Sequence, residues 1–166
     1  MENLSLFILA RVLHVVGVVL WIGGVAFVTT VLIPALRRME DHQQRFALFE
    51  KLEGRFAIQA RIVTAVTGLS GFYMTHVLDG WSRFQNPAFW WMHLMVIVWL
   101  AFTLVLFVLE PLFLHRWFRD YAKRDSEGAF RRIQVLHWIL LSLSLIAIGG
   151  AVAGTRGVNL LKLFGN

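Results

Sequence analysis

Four histidines lie inside long apolar segments of the sequence, one in each segment: His14, His76, His93 and His137. Imidazole is the commonest metal ligand in proteins, and the cores of helix bundles are built to hold cofactors between facing helices. A single intramembrane histidine often does no more than hydrogen-bond a neighbouring helix. One histidine in each of four segments favours a shared metal or cofactor site.

The first of these histidines has an unusual face. His14 is followed at helical spacing by Gly17, Trp21 and Gly24, and steps of three or four residues lie on one side of a helix. Small residues beside an imidazole leave room against the backbone. A flat cofactor such as haem would fit that room, and so would close packing against another helix.

Two axial ligands of one haem must face each other at comparable depth in the membrane. At 1.5 Å per residue, His14, His93 and His76 fall in the same half of the bundle, roughly 15, 8 and 5 Å from its outer end. His137 falls in the other half, with only His115 as a partner. We therefore predict an outer haem held by His14 and His93, with His76 as the rival ligand; a second, inner haem would involve His137.

Two arginines accompany these histidines. Arg11 lies one turn outward of His14 on the same face, where it could meet haem propionates or reach to the interface. Arg61 lies deeper, and pairing with Glu110 would neutralise both charges. The alternative roles for Arg61 are to bind the carboxylates of a second cofactor or to line a proton or quinone path.

The elements that must position these side chains are membrane-spanning helices. Of the 166 residues, 58% are hydrophobic and only 16% are charged. Four segments reach the length and apolarity of a span: about 5–33, 56–78, 88–114 and 130–154. Pro34 is expected to end the first helix. The prediction is an all-α protein, a single domain over 1–166 that forms an integral membrane antiparallel four-helix bundle.

The basic residues predict the orientation. The first connection holds five cations: Arg37, Arg38, Arg45, Lys51 and Arg55. The third holds six: Arg116, Arg119, Lys123, Arg124, Arg131 and Arg132. The second holds only Arg83. Cations favour the cytoplasmic side, so both termini are expected on the outer, periplasmic side of a bacterial inner membrane. Residues 37–55 read equally well as an amphipathic surface helix or as a solvated connector.

Composition also excludes several classes of protein. The chain has no cysteine, which rules out disulfides, Fe–S clusters and thioether-linked haem. The net charge of +6 would suggest nucleic acid in a soluble protein, but here it belongs to loops between spans. The N-terminus lacks the basic region of a cleaved signal peptide and is expected to be retained.

Three stretches resemble a known superfamily: LHVVGVVLWIGG, RFAIQARIVTAVTGLSG and WWMHLMVIV. They are similar to the small bacterial four-helix membrane proteins that include HemJ-type protoporphyrinogen oxidases and CopD-type copper-resistance proteins. The resemblance implies that His14 takes the place of a functional histidine in a haem b protein and that His93 is also matched. Met95 stands where the HemJ family has an essential lysine, which argues against porphyrinogen oxidation and leaves haem binding intact.

The leading hypothesis from the sequence is a b-type cytochrome that exchanges single electrons with quinone or a redox partner in the bilayer. A HemJ-like oxidase is the second hypothesis and a CopD-like copper protein the third. In a fourth, the histidines only join helices. No nucleic acid partner is expected, and a homo-oligomer is compatible with the sequence.

Overall fold

A computed structural model describes residues 2–114, 120 and 125–154, and these residues form helices and short connections without a strand. Four long helical segments account for most of them. The elements are α1 (Glu2–Phe27), a π-helical segment (Val28–Leu32), α2 (Ile33–Arg37), α3 (His42–Val77), α4 (Trp90–Leu104), a second π-helical segment (Val105–Leu114) and α5 (Ser126–Gly154). The all-helical class predicted from the sequence is confirmed.

The first helical rod is longer than the sequence predicted. Pro34 does not end it, because the chain continues as helix from α1 through the π segment into α2 and reaches Arg37. Proline lacks an N–H and its ring crowds the preceding turn. The wider π turn directly before Pro34 accommodates both effects, so the helix passes the proline instead of stopping at it.

Residues 37–55 are not a separate surface helix or a connector. From residue 42 onwards they form the first part of α3, which runs without interruption through the second predicted span to Val77. Asp41 caps this helix, because its carboxylate accepts hydrogen bonds from the backbone N–H groups of Gln43 and Gln44 at 2.8 and 3.1 Å. One cap at Asp41 and the absence of proline or a tight turn until Leu78 explain why a single 36-residue helix forms.

The connection between α3 and α4 is compact. Asp79 adopts a left-handed conformation with φ of 48°, and two 3₁₀ turns follow, Gly80–Gln85 and Pro87–Phe89. We call this end of the bundle the Asp79 end. The opposite end, which holds α2 and the starts of α3 and α5, is called the basic end.

The helices pack as antiparallel neighbours, α1 on α3, α3 on α4 and α4 on α5, and α5 also touches α1. A central apolar core joins α1, α3, α4 and α5, with Trp21 packed edge-to-face on Phe102 at 4.8 Å between ring centroids. A second apolar core at the basic end joins α2, α3 and α5, where Phe49 packs on Phe130 at 5.3 Å. Contacts on both sides of α3 thus fix its position in the bundle.

Among the described residues, three helical stretches are long and apolar enough to cross a membrane: Leu4–Arg37, Pro87–Leu112 and Ser126–Gly154. Large apolar side chains also cover their outward faces, which suits lipid and would be costly in water. The segment predicted as the second span, inside α3, is not among the three. Its reduced apolarity comes from Arg61 and from the hydroxyl and small side chains that follow it.

Candidate functional site

His14 is the histidine with the most defined surroundings. Its side chain is half-buried against α3, where Nδ1 lies 2.9 Å from the carbonyl oxygen of Thr67 and 3.4 Å from the hydroxyl of Ser70. A carbonyl only accepts, so Nδ1 must carry the proton and donate it. That hydrogen bond fixes the tautomer and leaves Nε2 as the nitrogen with a free lone pair.

The glycines around His14 serve close helix packing. A Cβ at Gly17 would collide with the Thr67 hydroxyl, and a Cβ at Gly24 would collide with the Phe56 ring. On α3, a Cβ at Gly71 would lie 3.0 Å from Cε1 of His14. Side chains of α3 therefore occupy the room beside Gly17 and Gly24, which agrees with the packing alternative for this face. A cofactor bound by His14 would have to approach from another side of the imidazole.

The other two histidines of the Asp79 end have different surroundings. His93 is exposed near the start of α4, and its ring meets Phe84 edge-to-face at 5.3 Å between centroids. His76 is exposed in the last turn of α3. His14 is thus anchored on α3 while both candidate partners lie at the surface, and the pairing of His14 with His93 stays a prediction.

His137 resembles His14 in one respect. Its Nδ1 lies 2.9 Å from the carbonyl oxygen of Ile133, one turn earlier in α5, so its free nitrogen is also Nε2. The partner considered for it, His115, lies outside the described residues. Within the part of the chain that the structure describes, there is no group of three or more His, Cys, Asp or Glu side chains that could hold a metal ion.

The two arginines singled out from the sequence have different environments. Arg11 is exposed on α1, as an arginine that reaches to the interface would be. Arg61 pairs with Glu110 through Nη2, as the sequence predicted, and its Nε donates to the carbonyl oxygen of Leu106 at 2.9 Å. The guanidinium of Arg61 thus donates to two acceptors, the carboxylate of Glu110 and the carbonyl of Leu106.

The second π segment explains the Leu106 contact, which the sequence did not predict. In a π-helix each carbonyl accepts from the N–H five residues later, and for Leu106 that residue is Pro111, which has no N–H. The Leu106 carbonyl therefore lacks its helical donor, and Nε of Arg61 takes that place. Pro111 was visible in the sequence, but the change from α to π register was not.

A set of buried hydroxyls in the middle of the bundle was also missed. The side-chain oxygens of Thr64, Thr67 and Thr103 are buried without a hydrogen-bond partner among the described residues, and so is Nε1 of Trp21. The sequence places Thr64 about one turn after Arg61, on the same face of a helix. It gave no sign that Thr103 and Trp21 bring further polar atoms to the same level from α4 and α1.

A cluster of charged and polar side chains lies at the basic end. Glu127 at the start of α5 pairs with Arg37 and, at 3.3 Å, with the buried Arg45, whose guanidinium lies 5.7 Å from the ring centroid of Phe130. Arg37 also donates to Gln134 at 2.6 Å. Both arginines were counted as loop cations in the sequence, yet they bind α2 and α3 to α5. The loop cations Arg116, Arg119, Lys123 and Arg124 lie outside the described residues.

The fold and these internal polar groups define the class: an all-helical membrane protein with ionisable side chains inside its bundle. The sequence profile of a family described as a domain of unknown function (DUF4149) matches residues 16–122, more than half of the chain, and the protein belongs to that family. The matched range holds His76, His93, Arg61 and Glu110, whereas His14 lies just before it. Neither a curated protein nor a solved structure matches the chain.

Proposed function

We propose that this protein is a membrane-embedded b-type cytochrome in which His14 is an axial ligand of haem b. The observation that carries the proposal is the hydrogen bond from Nδ1 of His14 to the Thr67 carbonyl at 2.9 Å. Histidines that ligate metals usually donate their second nitrogen to a carbonyl or a carboxylate, which orients the ring and raises its basicity. His14 has that arrangement inside an apolar helix.

The residues around His14 fit this group in their donor chemistry. Nε2 of His14 would bind the iron, while the Thr67 carbonyl and the Gly71 backbone hold the ring in place. The bound haem would supply one-electron exchange, and the apolar surroundings would set its potential and keep out water. As the second ligand we propose His93, with His76 as the rival. A further haem would use His137.

The charged residues have separate roles in this proposal. Arg11, one turn outward of His14 and exposed, is available to the propionates. Arg61 is engaged by Glu110 and Leu106, which supports a structural role for it over a role in binding a cofactor's carboxylates.

The proposal includes the placement of the chain in its membrane. The second half of α3 forms a fourth span, since it packs between α1 and α4, which are both apolar enough to cross. The basic end faces the cytoplasm and the Asp79 end faces the periplasm of a bacterial inner membrane. The electron partner is then a quinone in the bilayer or a redox protein.

An optical spectrum of the detergent-purified protein, oxidised and dithionite-reduced, tests the proposal. We expect the sharp reduced bands of a low-spin six-coordinate b haem and one haem per chain. A colourless protein that also fails to take up added haem would overturn the cytochrome proposal.

The matched variants are His14→Ala and His42→Ala. His14→Ala should lose most of its haem, because the change removes the proposed axial nitrogen. His42 begins α3 at the opposite end, so its replacement should leave the spectrum unchanged. Full haem content and an unchanged spectrum in the His14 variant would remove His14 from the ligands.

A second candidate function is supported by the resemblance of His14 and His93 to the HemJ-type oxidases. Such an enzyme would oxidise a porphyrinogen as well as bind haem. Met95, half-buried on α4 where that family has lysine, argues against it. Porphyrinogen turnover by the purified haem-loaded protein would favour the enzyme, and bound copper in place of haem would favour a CopD-like protein.

A further inference from the structure

Two sets of hydroxyl groups stand out among the helical residues that the structure describes. In the first set, each hydroxyl donates to the carbonyl oxygen four residues earlier, at 2.6 to 2.9 Å, as seen for Thr29, Thr30, Ser70, Thr75 and Ser144. This is the usual way for a helical serine or threonine to satisfy its hydroxyl in an apolar setting. The buried hydroxyls of Thr64, Thr67 and Thr103 have no protein partner among the described residues.

These three hydroxyls lie at neighbouring levels of the bundle. Trp99 of α4 donates from Nε1 to the Thr64 carbonyl at 2.9 Å, and about two turns after Trp99 the Leu106 carbonyl accepts from Arg61. Thr103 lies between Trp99 and Leu106 on α4, so it is level with the stretch from Arg61 to Thr64 on α3. The α3–α4 interface thus holds two unpartnered hydroxyls.

The third hydroxyl extends the group toward α1. Thr67 Oγ1 faces Gly17, and Trp21, one turn further along α1, has an unpartnered Nε1 and packs on Phe102, the neighbour of Thr103. Residues of three helices therefore bring polar atoms to neighbouring levels of the bundle, which we call the middle layer. Thr64 and Thr67 are 0% and 4% exposed, so bulk solvent does not satisfy them.

A buried polar atom without a partner destabilises the folded protein because it has lost its hydrogen bonds to water, and four in one layer would be a large penalty. Water molecules that bridge two to four such groups remove the penalty, and this is the usual role of internal water. The Arg61–Glu110 pair lies at the basic side of this layer, and the carbonyl and hydroxyl of Thr67 lie at its other side, next to His14.

We propose that the middle layer between α1, α3 and α4 is a binding site for a short row of water molecules, held by the hydroxyls of Thr64, Thr67 and Thr103 and by Nε1 of Trp21. The row joins the Arg61–Glu110 pair to the surroundings of His14 through an otherwise apolar core. The inference does not depend on haem binding.

Water-edited solid-state NMR of the full chain in lipid vesicles, with ¹³C-labelled threonine, tests the site directly. Magnetisation from water should reach the side chains of Thr64, Thr67 and Thr103 severalfold faster than that of Thr29, which is equally buried but bonded to Val25. Single Thr→Val variants assign the signals. Transfer to all three that is as slow as to Thr29 would overturn the proposal.

Thermal unfolding of the same variants gives an independent answer. Valine has the shape of threonine without its hydroxyl. If water is bound, Thr64→Val and Thr103→Val remove its hydrogen bonds and lower the unfolding midpoint by a few degrees. If the layer is dry, the same changes remove an unsatisfied group, and an unchanged or raised midpoint would contradict the proposal.

Discussion

At the scale of single residues, His14 illustrates how far sequence reasoning reaches. An imidazole inside an apolar helix predicts a functional or helix-joining group, and the small residues around it predict close approach. The acceptor of its proton is the backbone of Thr67 on another helix. Every residue has a carbonyl, so no residue type in the sequence could have indicated that partner.

Two glycines of α1 allow the packing at His14 to be tested. A methyl group at Gly17 would collide with Thr67, whereas a methyl at Gly23 meets nothing within 4 Å. We expect Gly17→Ala to destabilise the protein by about 1–3 kcal/mol through overpacking. Gly23→Ala should be neutral or stabilising by up to about 1 kcal/mol, because alanine favours helix.

The measurement is thermal unfolding in detergent, followed by circular dichroism, with both variants beside the unchanged chain. Equal midpoints for the Gly17 and Gly23 variants would show that α1 and α3 do not approach each other at Thr67 as described.

At the scale of elements, the second π segment and α3 depend on each other. Pro111 removes the donor for the Leu106 carbonyl, and Arg61 of α3 replaces it while it also pairs with Glu110. An irregular stretch of one helix is thereby completed by a charged side chain of the next. The pairing of Arg61 with Glu110 could be predicted because buried charges in membranes pair, but the second role follows only from the π register.

This coupling predicts a non-additive pair of substitutions. Arg61→Leu alone should destabilise the protein by at least about 2 kcal/mol, because it leaves a carboxylate and a carbonyl without their donor. In a Pro111→Ala background, the new N–H can serve the Leu106 carbonyl. The cost of Arg61→Leu should then fall by about 1 kcal/mol.

A double-mutant cycle of unfolding free energies measures this difference, and Arg55→Leu, an exposed arginine of the same helix, is the control. Strict additivity of the two substitutions would contradict the coupling of Arg61 to the π segment. The contribution of Arg61 to stability would then come from its ion pair with Glu110 alone.

The elements also show where pattern reasoning fails. Residues 42–55 and 56–78 differ in composition, so the sequence divides them, yet one capped helix contains both because no residue between them breaks it. Pro34 led to the opposite error. Proline was expected to end the helix, but the π-helical segment before it accommodates the ring, and the helix continues.

At the scale of the whole molecule, the absence of cysteine from the sequence offers a direct test of orientation. Single cysteines can be introduced at Asn86 in the connection at the Asp79 end and at Gln43 at the basic end, both exposed. In intact cells, a membrane-impermeant maleimide should label Asn86→Cys and should label Gln43→Cys only after permeabilisation.

We expect this labelling pattern because Lys and Arg side chains cluster at the basic end, which places that end in the cytoplasm. Labelling of Gln43→Cys alone in intact cells would reverse the orientation. Labelling of both positions in intact cells would mean that α3 does not cross the membrane. The parent chain, which has no cysteine, is treated in the same way and is the control for background reaction.

The unbroken length of α3 has a structural consequence. Its 36 residues extend over about 54 Å at 1.5 Å per residue, well beyond the roughly 30 Å of a bilayer's hydrocarbon layer. Near its start, α3 is bound to α5 through the contact of Arg45 with Glu127. The carbonyl that orients His14 belongs to Thr67, in the second half of the same helix. One continuous helix therefore joins the ion pairs of the basic end to the carbonyl that orients His14.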